Sequence, residues 1–117
     1  MLEVKSTATP DSTTKFPNGY LNVFNLPGLS FGAATFEPGW QWSVSVKPTA
    51  GTDSCQVPHA GLCLSGQLCV LMDDGETAII SPGDLFVISP GHDAWTVGNV
   101  SFVGYDFGGG MSEYAKA

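Results

Sequence analysis

The sequence predicts an all-β domain, a small barrel or sandwich, and three observations carry that prediction. From Tyr20 onward the chain is a series of short apolar runs separated by Gly, Pro, Asp and Asn. No window holds a 3.6-residue apolar stripe over three turns, which a surface helix would need. Between the runs, Asp73-Asp74-Gly75 and Ser81-Pro82-Gly83 supply tight turns, since Gly accepts the positive φ that such reversals require.

Residues 1–17 are rich in Ser and Thr and lack periodicity. They read as a flexible N-terminal arm that lies against the domain or a partner. The domain itself is expected over 18–110, with a tail at 111–117. Its strands are expected at Tyr20–Asn25, Leu29–Phe36, Trp40–Val46, Gln56–Leu64, Gln67–Met72, Glu76–Ile80, Asp84–Ser89, Ala94–Val97 and Val100–Phe107. In the third run, Trp40, Trp42, Val44 and Val46 alternate with Gln41, Ser43 and Ser45, the period of a half-buried strand. Other runs are apolar on both faces, as Leu62 and Leu64 against Gly61 and Cys63, or Phe102 against Val103 and Tyr105. A small barrel has one interior, so the second face must pack on another sheet, the arm or a second copy; a homodimer is expected.

At 117 residues and 43% hydrophobic content, the chain is long enough for one core. A net charge of −7 with only four scattered Lys and Arg argues against nucleic acid as a partner, because phosphate contacts need clustered cations. No apolar stretch approaches the roughly 18–20 residues of a membrane span. The opening MLEVKSTATPDSTTK lacks the apolar middle of a secretory signal, so a cytoplasmic location is expected. The three cysteines cannot all pair within the chain. Cys63 and Cys69 sit in apolar runs and read as small buried hydrophobes, whereas Cys55 lies among polar turn-formers.

The run GDLFVISPGHDAW, Gly83 to Trp95, is the most specific segment. It resembles the second motif of the cupin superfamily, a Gly, five residues, then Pro-x-Gly-x-x-His. Here the slots read Gly83, then Ser89-Pro90-Gly91, and the final histidine slot holds Ala94. The similarity extends over roughly Phe36 to Gly108, through Glu37-Pro38-Gly39, Gly66, Asp74-Gly75 and Pro82-Gly83-Asp84. It implies a small single-domain cupin, a double-stranded β-helix or jelly roll with a pocket open at one end. It also implies dimerisation and a place among the cyclases, isomerases, dehydratases or lyases of small-molecule pathways.

The first cupin motif, His-x-His, three or four residues, Glu, six residues, Gly, is anchored here on Gly66. Its glutamate slot falls on His59 and its histidine slots on Asp53 and Cys55, while Lys47 replaces an upstream glycine. Two readings follow. In one, the site is rebuilt around zinc or iron with Asp53, Cys55 and His59 as donors, sharing one strand face by parity, and His92 as a fourth. In the other, no metal is held and the barrel is an organic-ligand pocket lined by Trp40, Trp42, Trp95 and Phe102. The cofactor is therefore either none or a divalent transition metal.

As an enzyme, the chain would use His59 to move a proton and Cys55 as nucleophile or ligand, on a small organic substrate. The rival is a non-enzymatic binding or sensor module. Plainer roles stand beside each residue: a strand-end histidine for His59, an inert thiol for Cys55, a turn carboxylate for Asp53 and a solvated turn for His92-Asp93. Trp40 and Trp42 equally suit the core, and Trp95 has opposite parity to Ala94.

Overall fold

The structure, a computed structural model, describes residues 1–108, Gly110 and Tyr114. Apart from Tyr114, the tail expected at 111–117 lies outside the described residues. Among the described residues nine strands dominate: β1 (Ser12–Phe16), β2 (Gly19–Leu26), β3 (Leu29–Phe36), β4 (His59–Ser65), β5 (Leu68–Met72), β6 (Thr77–Ile80), β7 (Leu85–Ile88), β8 (His92–Thr96) and β9 (Phe102–Asp106). They form two antiparallel sheets, one ordered β1-β2-β3-β9-β4-β7 and the other β6-β5-β8. This is an all-β jelly roll. β6 and β7 each end a sheet, which leaves one seam of the cup open.

The inner faces follow strand parity. In β8 and β9 the alternation is strict: His92, Ala94 and Thr96 are buried, as are Phe102, Gly104 and Asp106. Aromatic rings fill the space between the sheets. Phe36 stacks on Trp40 with centroids 3.8 Å apart and on Phe102 at 5.8 Å. Gly61 lets β4 and β9 approach closely, since a Cβ there would run into the carbonyl oxygen of Tyr105. That contact sits near His59, which opens β4, and Asp106, which ends β9.

Two expectations change. Part of the stretch expected as a free arm forms β1, in register with β2 from Ser12 opposite Val23 to Phe16 opposite Gly19. The Phe16 ring packs on Phe36 and Trp40, and this burial holds the strand in place.

The run Trp40–Val46 is not a strand. It makes a short helix α1 (Trp42–Ser45), followed by α2 (Lys47–Ala50). Trp42 and Val46 fit either period, being four residues apart, but Val44 separates the two: it is 66% exposed where a strand would bury it. The deciding group comes from β8. The Asp93 carboxylate accepts the Ser43 backbone N–H at 3.0 Å and the Gln41 side-chain amide at 3.0 Å, satisfying the start of α1 from across the fold. No local sequence signal carries that contact.

Candidate metal centre

Cys55, His59 and His92 offer donor atoms that all lie within 4.8 Å of one another. The chain brings them together from three places. His59 opens β4 with its side chain on the inward parity shared by Gly61 and Cys63. Opening β8, His92 is 3% exposed, so the solvated turn is replaced by a buried strand position. Cys55 precedes β4 and is tied to His92 by an isolated bridge: its N–H donates to the His92 carbonyl at 2.8 Å, and its own carbonyl accepts from Gly91 N–H at 2.7 Å. Those bonds carry the thiol into the core, 1% exposed, despite its polar sequence neighbours.

The imidazoles are oriented. Nδ1 of His92 donates to the Ser89 carbonyl at 2.9 Å, and a carbonyl can only accept, so Nε2 keeps its lone pair. Nδ1 of His59 lies 2.7 Å from Asp106 Oδ2 and donates to that carboxylate, which leaves His59 Nε2 facing Cys55 Sγ at 3.9 Å. The other Asp106 oxygen accepts the Gly108 N–H at 2.8 Å. A histidine whose far nitrogen is held by a carboxylate or carbonyl is the usual arrangement of a metal ligand.

Electrostatics points the same way. Burial pushes the Cys55 thiol up to about 11, with the Val57 carbonyl hydrogen bond opposing and the Asp93 charge adding to the rise. The thiol is therefore neutral near pH 7 unless a cation shares the site, and this argues against a free nucleophile. Burial likewise holds His92 below its usual range, so it presents a neutral, ligand-ready ring.

A zinc ion with bonds of roughly 2.0–2.3 Å in tetrahedral geometry sets its donors about 3.3–3.8 Å apart. The observed cluster needs only a small contraction to reach this. One thiolate on a divalent ion leaves a net charge of +1, which the buried Asp106 carboxylate offsets. The residues fit a metal.

Asp53 does not join them. Its side chain is fully solvated and lies 3.8 Å from Lys47 Nζ. The parity that would align 53, 55 and 59 requires an extended strand, and the backbone bends through 52–54 instead.

Beside the histidines is a cavity of about 40 Å³ walled by Phe36, Trp40, Trp42, Ala94, Phe102 and Tyr114, among others. Trp40, Trp42 and Phe102 of the expected aromatic lining are thus in the wall. Trp95 is not: it stands on the opposite face of β8 from Ala94, with its backbone bridged to Gln41. Among the lining residues that escaped sequence reasoning are Phe36, Asp106 and Tyr114. Asp106 had a signal, being acidic on the same strand parity as Phe102 and Gly104. Tyr114 had none.

No protein-family model matches the chain, and no curated protein matches it in sequence. Solved structures do match. Ectoine synthase from P. lautus is similar with a TM-score of 0.66 at 14% identity, over 96% of this chain and 83% of that one. A protein of unknown function from Rhizobium leguminosarum bv. viciae is similar with a TM-score of 0.58 at 20% identity, over 92% and 97% of the two chains. A protein described as ethanolamine utilization protein Q, from Salmonella typhimurium, gives 0.52 at 18% identity over 78% and 70%. Likeness at these identities concerns the fold. Ectoine synthase and the ethanolamine utilization protein are cupin-fold proteins, and this chain has the same cupin-like jelly roll.

Proposed function

We propose that the protein is a metal-dependent enzyme acting on a small organic molecule in the cup, with Cys55, His59 and His92 holding a divalent transition metal. The observation that carries this reading is the convergence of three donors whose other contacts leave the right atoms free. Zinc suits a thiolate with two imidazoles and an open fourth position, and iron is the alternative. When bound, the ion would supply Lewis acidity toward an oxygen of the ligand.

The chain's own residues do the rest. Asp106 fixes the tautomer and orientation of His59, and the Ser89 carbonyl does the same for His92. Phe36, Trp40 and Phe102 exclude water and strengthen every polar contact inside. About 40 Å³ is space for roughly three waters, so the cavity favours ligands of a few non-hydrogen atoms. While His59 Nε2 is a metal ligand it cannot also move a proton, so the general-base role belongs only to the metal-free form. The reaction class, whether cyclisation, isomerisation, dehydration or lyase chemistry, rests on the fold likeness.

Metal analysis of the purified protein tests this reading. The expected result is about one zinc or iron per chain, lost in His92→Ala. A protein that stays metal-free after incubation with zinc or ferrous iron overturns it and favours the binding module. Homodimerisation is proposed as well, supported by Leu85 and Val87, which stand 80% and 83% exposed on the edge strand β7. Light scattering at two concentrations checks it.

A further inference from the structure

We infer that Tyr114 is the specificity-determining residue of the cavity: its ring occupies space beside the Cys55–His59–His92 cluster and so sets the upper size of the ligand. Tyr114 is 3% exposed. Its ring meets His59 edge-on with centroids 5.8 Å apart, and meets Phe16 at 6.0 Å and Phe36 at 6.3 Å. It lines the cavity together with His59, His92 and Asp106. Burial holds its phenol well above the usual tyrosine range, and the Cys55, Asp106 and Asp93 charges add to the rise. The ring thus stands among the reactive groups as well as the aromatic wall.

Gly108 and Gly110 lie close to the elements that carry His59. A Cβ on Gly108 would lie 3.0 Å from Asp106 Oδ1 and 3.1 Å from the Ala60 nitrogen, and one on Gly110 would lie 2.9 Å from Val57 Cγ1. Glycine at these two positions lets the backbone lie directly against the residues that flank His59. An aromatic ring held by aromatic neighbours, rather than by a strand ladder, is also the part of the wall that substitution can remove with the sheets intact.

The inference rests on the reading of the cavity as the ligand site, and not on the metal. Its test uses the full chain after chelator treatment, at one pH. Alkylation of Cys55 by iodoacetamide is followed by mass spectrometry of the peptide that contains it, with and without p-cresol, which has the shape of the missing side chain. Tyr114→Ala should raise the Cys55 rate by at least ~10-fold, because a buried ring is replaced by open space. An apolar cavity of that kind takes up a ring of matching size, so p-cresol should restore the slow rate. Tyr114→Phe should stay within about twofold of the parent, since the ring and not the hydroxyl fills the space.

A Cys55 rate in folded Tyr114→Ala that matches the parent overturns the inference, as does p-cresol with no protective effect. If Tyr114→Ala does not fold, Tyr114→Leu is measured against the same criteria. Metal content of the same preparations before chelation separates the two readings. Absence of metal together with p-cresol protection removes the metal centre and leaves the size limit standing. Stoichiometric metal with an unchanged alkylation rate does the reverse.

Discussion

The cavity beside His59 and the groove between β6 and β7 are both hollows with apolar walls, and they differ in almost every other respect. The groove is far larger, about 390 Å³ against about 40 Å³, and is bordered by Ile79, Leu85, Val87 and Ser89, with Glu76 and Asp84 as its carboxylates. Both carboxylates are exposed, and among the described residues no histidine or cysteine borders it. Beside the cavity a thiol and two imidazoles converge; Asp106 and the Ser89 carbonyl orient the imidazoles, Cys55 and His92 are buried, and His59 is half-buried. Volume measures where sheets fail to meet. Chemistry needs donors held in register where water cannot compete for them.

Four substitutions or conditions would test that contrast. The largest effect belongs to Phe36→Ala, which removes a ring stacked on Trp40 and Phe102 and 6% exposed. A loss of about 3–5 kcal/mol is expected in urea unfolding. A loss below ~1 kcal/mol would mean that the cavity wall is loosely packed.

Next is Asp106→Asn, which keeps the shape of the side chain but replaces the anion that accepts from His59. Zinc affinity measured against a competing chelator should fall by roughly 10–100-fold with little change in fold. Unchanged affinity would remove Asp106 from the site.

Acidification comes third. Burial disfavours the charged form of His92, so its folded pKa lies below the ordinary 6.5 and the unfolded chain takes up that proton first. In the metal-free protein this contribution is complete above pH 6.5 and is lost as pH falls from there through the depressed value. The melting temperature should decline between pH 7 and pH 5, less steeply in His92→Gln. Equal slopes in the two proteins would contradict the burial argument.

The smallest effect is expected in the groove. Leu85 is 80% exposed, so Leu85→Ser should change monomer stability by no more than about 0.5 kcal/mol and leave metal content untouched. Altered metal binding in that variant would join the two hollows functionally.

Much of the β framework was legible. Leu29–Phe36 appears with the same ends in sequence and structure, and the other strands shift by a few residues at their ends. Turn-formers are local, and their φ requirements act wherever the chain is placed: Gly75 has φ 95° and Gly83 φ 88° at the turns where Gly was read as permissive. Among the expected strands, the one of the wrong type, at Trp40–Val46, depends on Asp93, fifty residues distant along the chain. The cupin resemblance, anchored on Gly66, implied an inward position for His59, and His59 lines the cavity. Asp53 failed because parity holds only on extended backbone. His92 stands two residues before the customary slot at Ala94, and two residues is one period of a strand, so both face inward.

By itself the sequence determined a β-rich chain, its turn positions and the inward parity of its strands, because steric limits on φ and the two-residue period act between near neighbours. Tertiary structure alone decided which polar groups meet. Cys55 joins His92 through backbone bonds, His59 joins Asp106 across β4 and β9, and Tyr114 enters the wall from the far end of the sequence. Such meetings depend on register and sheet order, which arise from burying one apolar face against another and leave no mark on the spacing of residues within a single strand.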